Sequence, residues 1–314
     1  MSSFDRIDHT AIMDRVGERV GDKRVLRLIK AFLYAGVLEE QGGLSRSVTG
    51  TPQGGILSPL LANIALSALD EHFARAWAAM GSVGQRYRRR KRGQATYRLV
   101  RFADDFVICV AGDRSHAEAL VEEAERVLRP LGLALAREKT RVTHIDEGID
   151  FLGWRIKRDR GRRGRSGIFL YPSKPSLAAV KAKVKQITRS GTNQSLAQLL
   201  YRLNPVLRGW CAYFRSGVSS RTFGYLREFA WRRVVRWLRR KFPRRSWGWL
   251  RRRYLPGGSW WPTDGEVTLY NPAAVRTTRY RYRAARIETP WAAGYMQDRE
   301  PNRSLERLAG LVAR

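Results

Sequence analysis

Helical periodicity alternates with short β-prone apolar runs along the first half of the chain. Ile12, Val16 and Val20, then Val25, Leu26, Ile29 and Leu33, mark one or two amphipathic helices over residues 10–35, with Asp22 as a cap between them. Leu61, Ile64, Leu69 and Phe73 mark a long helix from Leu60 to about Met80, with Ser58 as its N-cap and Pro59 at the first helical position. Gly81 to Gly93 carries Arg86, Arg88, Arg89, Arg90, Lys91 and Arg92 without an apolar period and reads as a loop. Leu99-Val100 and Phe106 to Val110 flank Asp104 and Asp105, which predicts a tight hairpin with the carboxylates at its turn. Ser115-His116-Ala117-Glu118 reads as a capping box for a helix reaching about Arg129, before Pro130. Strands are expected near 141–145 and 150–157, so residues 1–156 read as an α/β (α+β) region large enough for one core.

The pattern changes after Trp154. Residues 157–175 begin with a basic, Gly-rich stretch that reads as a mobile linker between domains. Residues 176–255 read as all-α, with helices over 177–187, 195–214 and 223–242. In the last of these, Trp231, Val234, Val235 and Leu238 fall at i, i+3, i+4 and i+7 and form one apolar face. Arg232, Arg233, Arg236, Arg239, Arg240 and Lys241 cover the rest, the arginines forming an outward arc. From Arg232 to Arg253 there are eleven basic residues and no acidic ones, with Trp237, Trp247 and Trp249 interleaved. Uncompensated like charges at i,i+4 repel by a few tenths of a kcal/mol per pair, a cost that a polyanion removes. Residues 256–314 are a Trp/Arg-rich extension, expected to be ordered by Trp260, Trp261, Tyr270 and Trp291 packing back on the body.

Composition narrows the partner. Sixty Lys and Arg against 28 Asp and Glu give a formal net charge of +32, the electrostatic footprint of a nucleic-acid-binding chain. No apolar run approaches the roughly 20 residues of a membrane span, and Met1-Ser2-Ser3-Phe4-Asp5 has no signal-peptide pattern. Two cysteines, Cys109 and Cys211, fit a reducing cytoplasm, Cys109 being expected as a buried core thiol. The four histidines and two cysteines form no zinc-ligand spacing, nor the cluster an HNH endonuclease domain needs.

The candidate chemistry lies in ordered blocks. Asp104 and Asp105, two carboxylates on a cationic chain, are placed to hold divalent metal, and metal so held can serve a two-metal displacement on phosphate. Some fifty residues earlier, Gly50-Thr51-Pro52-Gln53-Gly54-Gly55 forms a loop where Gly54 and Gly55 let a nucleotide approach the backbone closely. With Leu131-Gly132-Leu133, Glu138-Lys139-Thr140 and Phe151-Leu152-Gly153-Trp154 downstream, the chain resembles reverse transcriptases, and most closely the group II intron-encoded reverse transcriptase/maturase family.

The resemblance runs along nearly the whole chain and implies a fold: an incomplete polymerase palm followed by an all-α maturase, or thumb-like, domain. It implies that Asp104 and Asp105 are the catalytic, Mg²⁺-binding pair of the palm. Gln53, Gly54, Gly55 and Lys139 would then serve nucleotide and template, and Phe151, Leu152, Gly153 and Trp154 the primer grip. Phe102 stands where the family usually has tyrosine. Implied partners are group II intron RNA, an RNA template with a DNA primer, and deoxynucleoside triphosphates. The RNA surface is expected on Arg88, Arg89 and Arg90 and on Arg232, Arg233, Arg236, Arg239 and Arg240. In the family the first catalytic aspartate precedes the segment corresponding to Phe4-Asp5-Arg6-Ile7-Asp8-His9. That aspartate is expected to fall before Met1, outside this chain, along with the fingers region. Two functions of different class follow: an RNA-directed DNA polymerase that copies intron RNA, completed in trans if a partner supplies the upstream strand, or a catalytically inactive RNA-binding maturase that assists splicing.

Overall fold

The structure, a computed structural model, describes residues 7–35, 37–38, 44–45, 57–161, 164, 166–189, 191–257 and 260–278. The chain divides into two compact units, one within residues 1–142 and the other within 143–282. Helix and small antiparallel sheets mix in both.

In the first unit, α1 (His9–Gly17) and α2 (Lys23–Tyr34) start at the caps Asp8 and Asp22, whose side chains accept from the Ala11 and Arg24 amides at 2.9 and 2.7 Å. A short pair, β1 (Val37–Leu38) and β2 (Leu44–Ser45), follows. The central element is α3 (Ser58–Ala79), whose Leu61, Ala62, Ala65, Leu66, Leu69 and Phe73 are all buried. Its N-cap is Leu57, so Ser58, expected as the cap, is instead the first helical residue. α3 packs against α1, against the hairpin of β3 (Thr96–Phe102) and β4 (Asp105–Ala111), and against α5 (Arg114–Leu128). On the hairpin, Tyr97, Leu99, Phe106, Ile108 and Val110 pack on this core. Cys109, expected in the core, is exposed, because period-two alternation turns it away from Ile108 and Val110.

Three further expectations change. Residues 81–93 are not a loop: α4 (Val83–Lys91) is opened by a capping box in which Ser82 and Gln85 satisfy each other's amides. The cap of α5 is Asp113 with His116 at N3, two residues before the box expected from Ser115. Residues 141–145 form no strand.

The second unit starts with a three-stranded antiparallel sheet, β5 (Ile149–Phe151), β6 (Trp154–Arg160) and β7 (Ser166–Pro172). Residues 157–175 are therefore no linker. β6 and β7 pair along seven residues each, and the Leu170 carbonyl accepts from the Val218 amide at 2.8 Å, tying the sheet to the helices. Residues 176–255 are helical, as expected: α6 (Lys174–Arg189), α7 (Leu196–Phe214), α8 (Ser220–Lys241) and α9 (Trp247–Tyr254). Leu199, Leu200, Leu203, Leu207, Phe223, Leu226, Val234 and Trp237 form their core. Cys211 lies in it, and burial pushes its thiol pKa up to about 12.

Residues 260–278 are part of this body. Their hairpin, β8 (Thr263–Asp264) and β9 (Val267–Thr268), docks on α7. Asn204 donates to the Thr268 carbonyl at 2.9 Å and accepts from the Tyr270 amide at 2.8 Å, while Asp264 accepts from the Ala197 amide at 3.0 Å. Trp261 and Tyr270 pack on the core as expected, whereas Trp260 is half exposed. Trp291 lies outside the described residues. No described helix is long and apolar enough to cross a membrane.

Candidate active hairpin and nucleic-acid surface

β3 and β4 are joined by a two-residue turn, Ala103-Asp104, with Phe102 paired to Asp105. Ala103 has φ of 53°, a left-handed conformation that costs a non-glycine residue about 1 kcal/mol. The turn is held from below. Arg101, at the inward parity of Tyr97 and Leu99, donates through Nη1 to the Ala103 carbonyl at 2.6 Å and to Asn63 Oδ1 at 2.9 Å. Its Nε donates to Asp70 Oδ2 at 2.9 Å, and Nη2 bonds the same oxygen. Asn63 is itself oriented by donating to the Pro59 carbonyl at 2.9 Å. Asn63 and Asp70 are two turns apart on α3, so one guanidinium staples the hairpin tip to one helix face.

Asp104 and Asp105 project from that tip. Both are exposed, and among the described residues neither carboxylate has an ion-pair or hydrogen-bond partner. Arg101 is neutralised by Asp70 and leaves the two tip carboxylates uncompensated. Such a pair of hard oxygen donors fits a divalent cation. Among the described residues, no three or more His, Cys, Asp or Glu converge on one point, so the tip supplies two acidic side chains. Phe102 is 65% exposed, on the opposite parity to Arg101. Lys139 is exposed in the turn 137–139, where its amide donates to the Ala136 carbonyl at 2.9 Å. Gln53, Gly54 and Gly55 lie outside the described residues. Sequence reasoning missed Arg101, Asn63 and Asp70. The available signal was a charged residue at an inward strand position, which needs a buried partner.

On α4, Arg88 and Arg90 are exposed and Arg89 is half-buried; Arg90 also donates to Thr96 Oγ1 at 3.3 Å. Arg86 and Arg98 stand 4.1 and 5.5 Å over the Trp77 ring, so Arg86 is spent on packing the helix down.

In the second unit, Phe151, Leu152, Gly153 and Trp154 form the β5–β6 turn, with Leu152 and Gly153 at φ of 49° and 77°. Tyr213 Oη donates to the Leu152 carbonyl at 2.9 Å, and the Ser173 amide to that of Gly153 at 2.9 Å. Trp154 stacks on Tyr213 and meets Phe214 edge-on, with centroids 5.9 and 4.7 Å away. The β5–β6 turn is thus built onto α7.

The arginine arc of α8 divides in two. Arg232, Arg236 and Arg239 are exposed, Arg232 paired with exposed Glu228 at 2.5 Å. Arg233, expected on the outward arc, is half-buried and turns onto the end of α6 instead, while Arg240 is exposed as expected but reaches the same helix end. Arg233 Nε donates to Thr188 Oγ1 at 2.9 Å, Arg240 Nη2 to the Thr188 carbonyl at 2.8 Å, and Lys241 Nζ to the Thr192 carbonyl at 2.6 Å. Basic side chains at a helix C-terminus satisfy its last carbonyls and the negative end of its dipole. Burial, then the like charges of Arg189, Arg236 and Arg240, pull the Arg233 pKa below its usual value.

Comparison with known proteins matches both units. A family model described as "Reverse transcriptase (RNA-dependent DNA polymerase)" matches residues 1–156, and one described as "Group II intron, maturase-specific domain" matches residues 177–255. The chain is 34% identical over 179 residues to Protein YkfC of Escherichia coli (strain K12), covering 52% of this chain and 46% of that protein. It is 30% identical over 210 residues to the group II intron-encoded protein LtrA of Lactococcus lactis subsp. cremoris, covering 52% and 35%. Identity to the putative COX1/OXI3 intron 2 protein of Saccharomyces cerevisiae is 24% over 192 residues, covering 49% and 22%. The matched stretch is less than half the length of each of these relatives.

Proposed function

We propose a function from the premise that this chain belongs to the group II intron-encoded reverse transcriptase/maturase family: it takes part in RNA-directed DNA synthesis and binds intron RNA to assist its splicing. The observation that carries the polymerase half is the uncompensated Asp104–Asp105 pair at a hairpin tip stapled to α3 by Arg101. In this reading residues 1–156 contribute a partial polymerase palm, and residues 176–255 are the maturase domain.

Asp104 and Asp105 would hold Mg²⁺. Mg²⁺ bound there would act as a Lewis acid on phosphoryl oxygens and acidify the attacking hydroxyl. The chain's own residues supply position and charge. Arg101, Asn63 and Asp70 keep the tip in one conformation, so that the carboxylates need not reorganise as they take up the cation. Lys139, with Gln53, Gly54 and Gly55, would meet the nucleotide and template, and the 151–154 turn would bear on the primer. Arg88 and Arg90 on α4, and Arg232, Arg236 and Arg239 on α8, would meet RNA phosphates.

The test is primer extension by the full chain on an RNA template with deoxynucleoside triphosphates and Mg²⁺, beside Asp104→Ala and beside RNA affinity. Synthesis lost in the variant at unchanged RNA affinity supports the reading. Synthesis that survives Asp104→Ala overturns the metal-site assignment. RNA binding without synthesis in either protein leaves the maturase half alone.

A further inference from the structure

Trp260 is 52% exposed, although it belongs to a segment that is otherwise stitched onto the helical body. Its neighbours hold it in place and leave about half of its surface open. The Trp231 indole donates to its carbonyl at 2.5 Å, Trp247 stacks beside its ring at 6.5 Å, and the Arg251 guanidinium lies 4.5 Å over the ring. Next to it opens a cavity of about 320 Å³ lined by Arg227, Glu228, Trp231, Trp260 and Trp261. Trp261 is fixed by donating from its indole to the Leu269 carbonyl. The walls are therefore three indoles, Trp231 and Trp261 held by their N–H bonds, together with one cation, Arg227, and one carboxylate, Glu228.

An exposed indole beside a recess walled by two further indoles is a surface on which a planar ring system can lie. The chemistry selects the occupant. Indole faces and arginine planes stack on nucleobases, and arginines pair with the phosphates on either side. The volume is at the lower end of small-ligand sites, enough for a planar ring system and too small for a duplex or a helix. Glu228, paired with Arg232 through one oxygen, keeps a second carboxylate oxygen that can accept from the N–H edge of a base. We propose that Trp260, with Trp231 and Arg227 in the cavity wall, forms a stacking subsite for one unpaired base of single-stranded RNA. The subsite rests on the reading that this chain binds RNA, and adds to it a preference for unpaired over paired strands.

Binding of the full chain to a short single-stranded oligouridylate and to an RNA duplex of equal length is compared for wild type, Trp260→Leu and Trp260→Tyr. Trp260→Leu should weaken single-strand binding by roughly tenfold or more, with its salt slope unchanged because no phosphate contact is lost. Duplex binding should stay within twofold, and Trp260→Tyr should keep most of the single-strand affinity. Independently of any variant, 5-iodouridine in the oligonucleotide should photocrosslink to Trp260 or Trp231 of the wild-type chain. Equal loss on both RNAs, no loss on either, crosslinks confined to other residues, or equal competition by an acidic peptide would each overturn the subsite. If wild type binds both RNAs and Trp260→Leu matches it, the subsite alone falls. If wild type binds neither, the RNA-binding reading falls with it.

Discussion

Arg101 and Asp70 form an almost fully buried ion pair, with side chains 9% and 12% exposed, and through it the hairpin bearing Asp104 and Asp105 is fixed to α3. The same guanidinium holds the Ala103 carbonyl, so one residue sets both the position and the conformation of the tip.

Removing one partner of a buried pair leaves the other charge uncompensated. Asp70→Ala should destabilise the first unit by about 3 kcal/mol, read as a lower urea midpoint by circular dichroism. Arg101→Lys keeps the charge but loses the fork. It should fold with a smaller loss of stability and bind Mn²⁺ at the tip more weakly than wild type. A variant that matches wild type in both readings would show that the staple does not shape the tip.

Glu71 accepts from Arg15 and Arg19 at 2.6 and 2.7 Å. Partial burial raises its pKa, but the hydrogen bond and charge of Arg15, the charge of Arg19 and a bond from Ser67 outweigh that and leave it below the ordinary carboxylate value. Because the folded value is the lower one, this contribution to stability is present above the unfolded value of about 4.3 and is lost as pH falls through the folded value. Glu71→Gln should lower Tm at pH 7 and show a shallower Tm decline below pH 4.3 than wild type. Parallel Tm–pH curves would refute the assignment.

Two glycines should respond in opposite directions. A Cβ on Gly217 would lie 2.7 Å from the Leu170 carbonyl oxygen and inside the Trp154 indole, so Gly217→Ala should cost about 2 kcal/mol. Gly209, exposed in α7, has nothing within 4 Å of such a Cβ. Gly209→Ala should add roughly 0.5–1 kcal/mol through helix propensity. Denaturant midpoints of the two variants decide both.

The division of the α8 arginines predicts separable effects. Replacing exposed Arg232, Arg236 and Arg239 with Gln should leave Tm near wild type, weaken RNA binding and flatten its log K–log salt slope by about two units. Arg240→Gln should instead lower Tm, since it uncaps the Thr188 carbonyl. A triple variant with unchanged slope would move the RNA surface to α4.

How much was legible follows from where the information lies. The hairpin at Asp104 and the three long helices of residues 176–255 could be read because a local period, or a charged pair between β-prone runs, encodes them. α4 could not, since Arg86 to Lys91 has no apolar period and its order comes from the Ser82–Gln85 box and from Trp77. The β6–β7 hairpin was hidden for a related reason: its basic residues dominate the composition, while Ile156, Phe169 and Tyr171 carry the strand. The Arg101–Asp70 staple is tertiary and shows in the sequence only as a charge at an inward strand position; the turn of Arg233 and the reach of Arg240 onto α6 are tertiary too, and no local pattern distinguishes these two from Arg232, Arg236 and Arg239.

Ala103 and Leu152 are both non-glycine residues held left-handed at hairpin tips, and each has its carbonyl gripped by a side chain that a helix positions: Arg101, itself held by Asn63 and Asp70 of α3, in one case and Tyr213 of α7 in the other. Either hairpin cut out as a peptide or grafted onto a foreign scaffold would relax, because its turn residues do not by themselves choose that conformation. The tips are borrowed shapes, and whatever loosens α3 or α7 reaches them first.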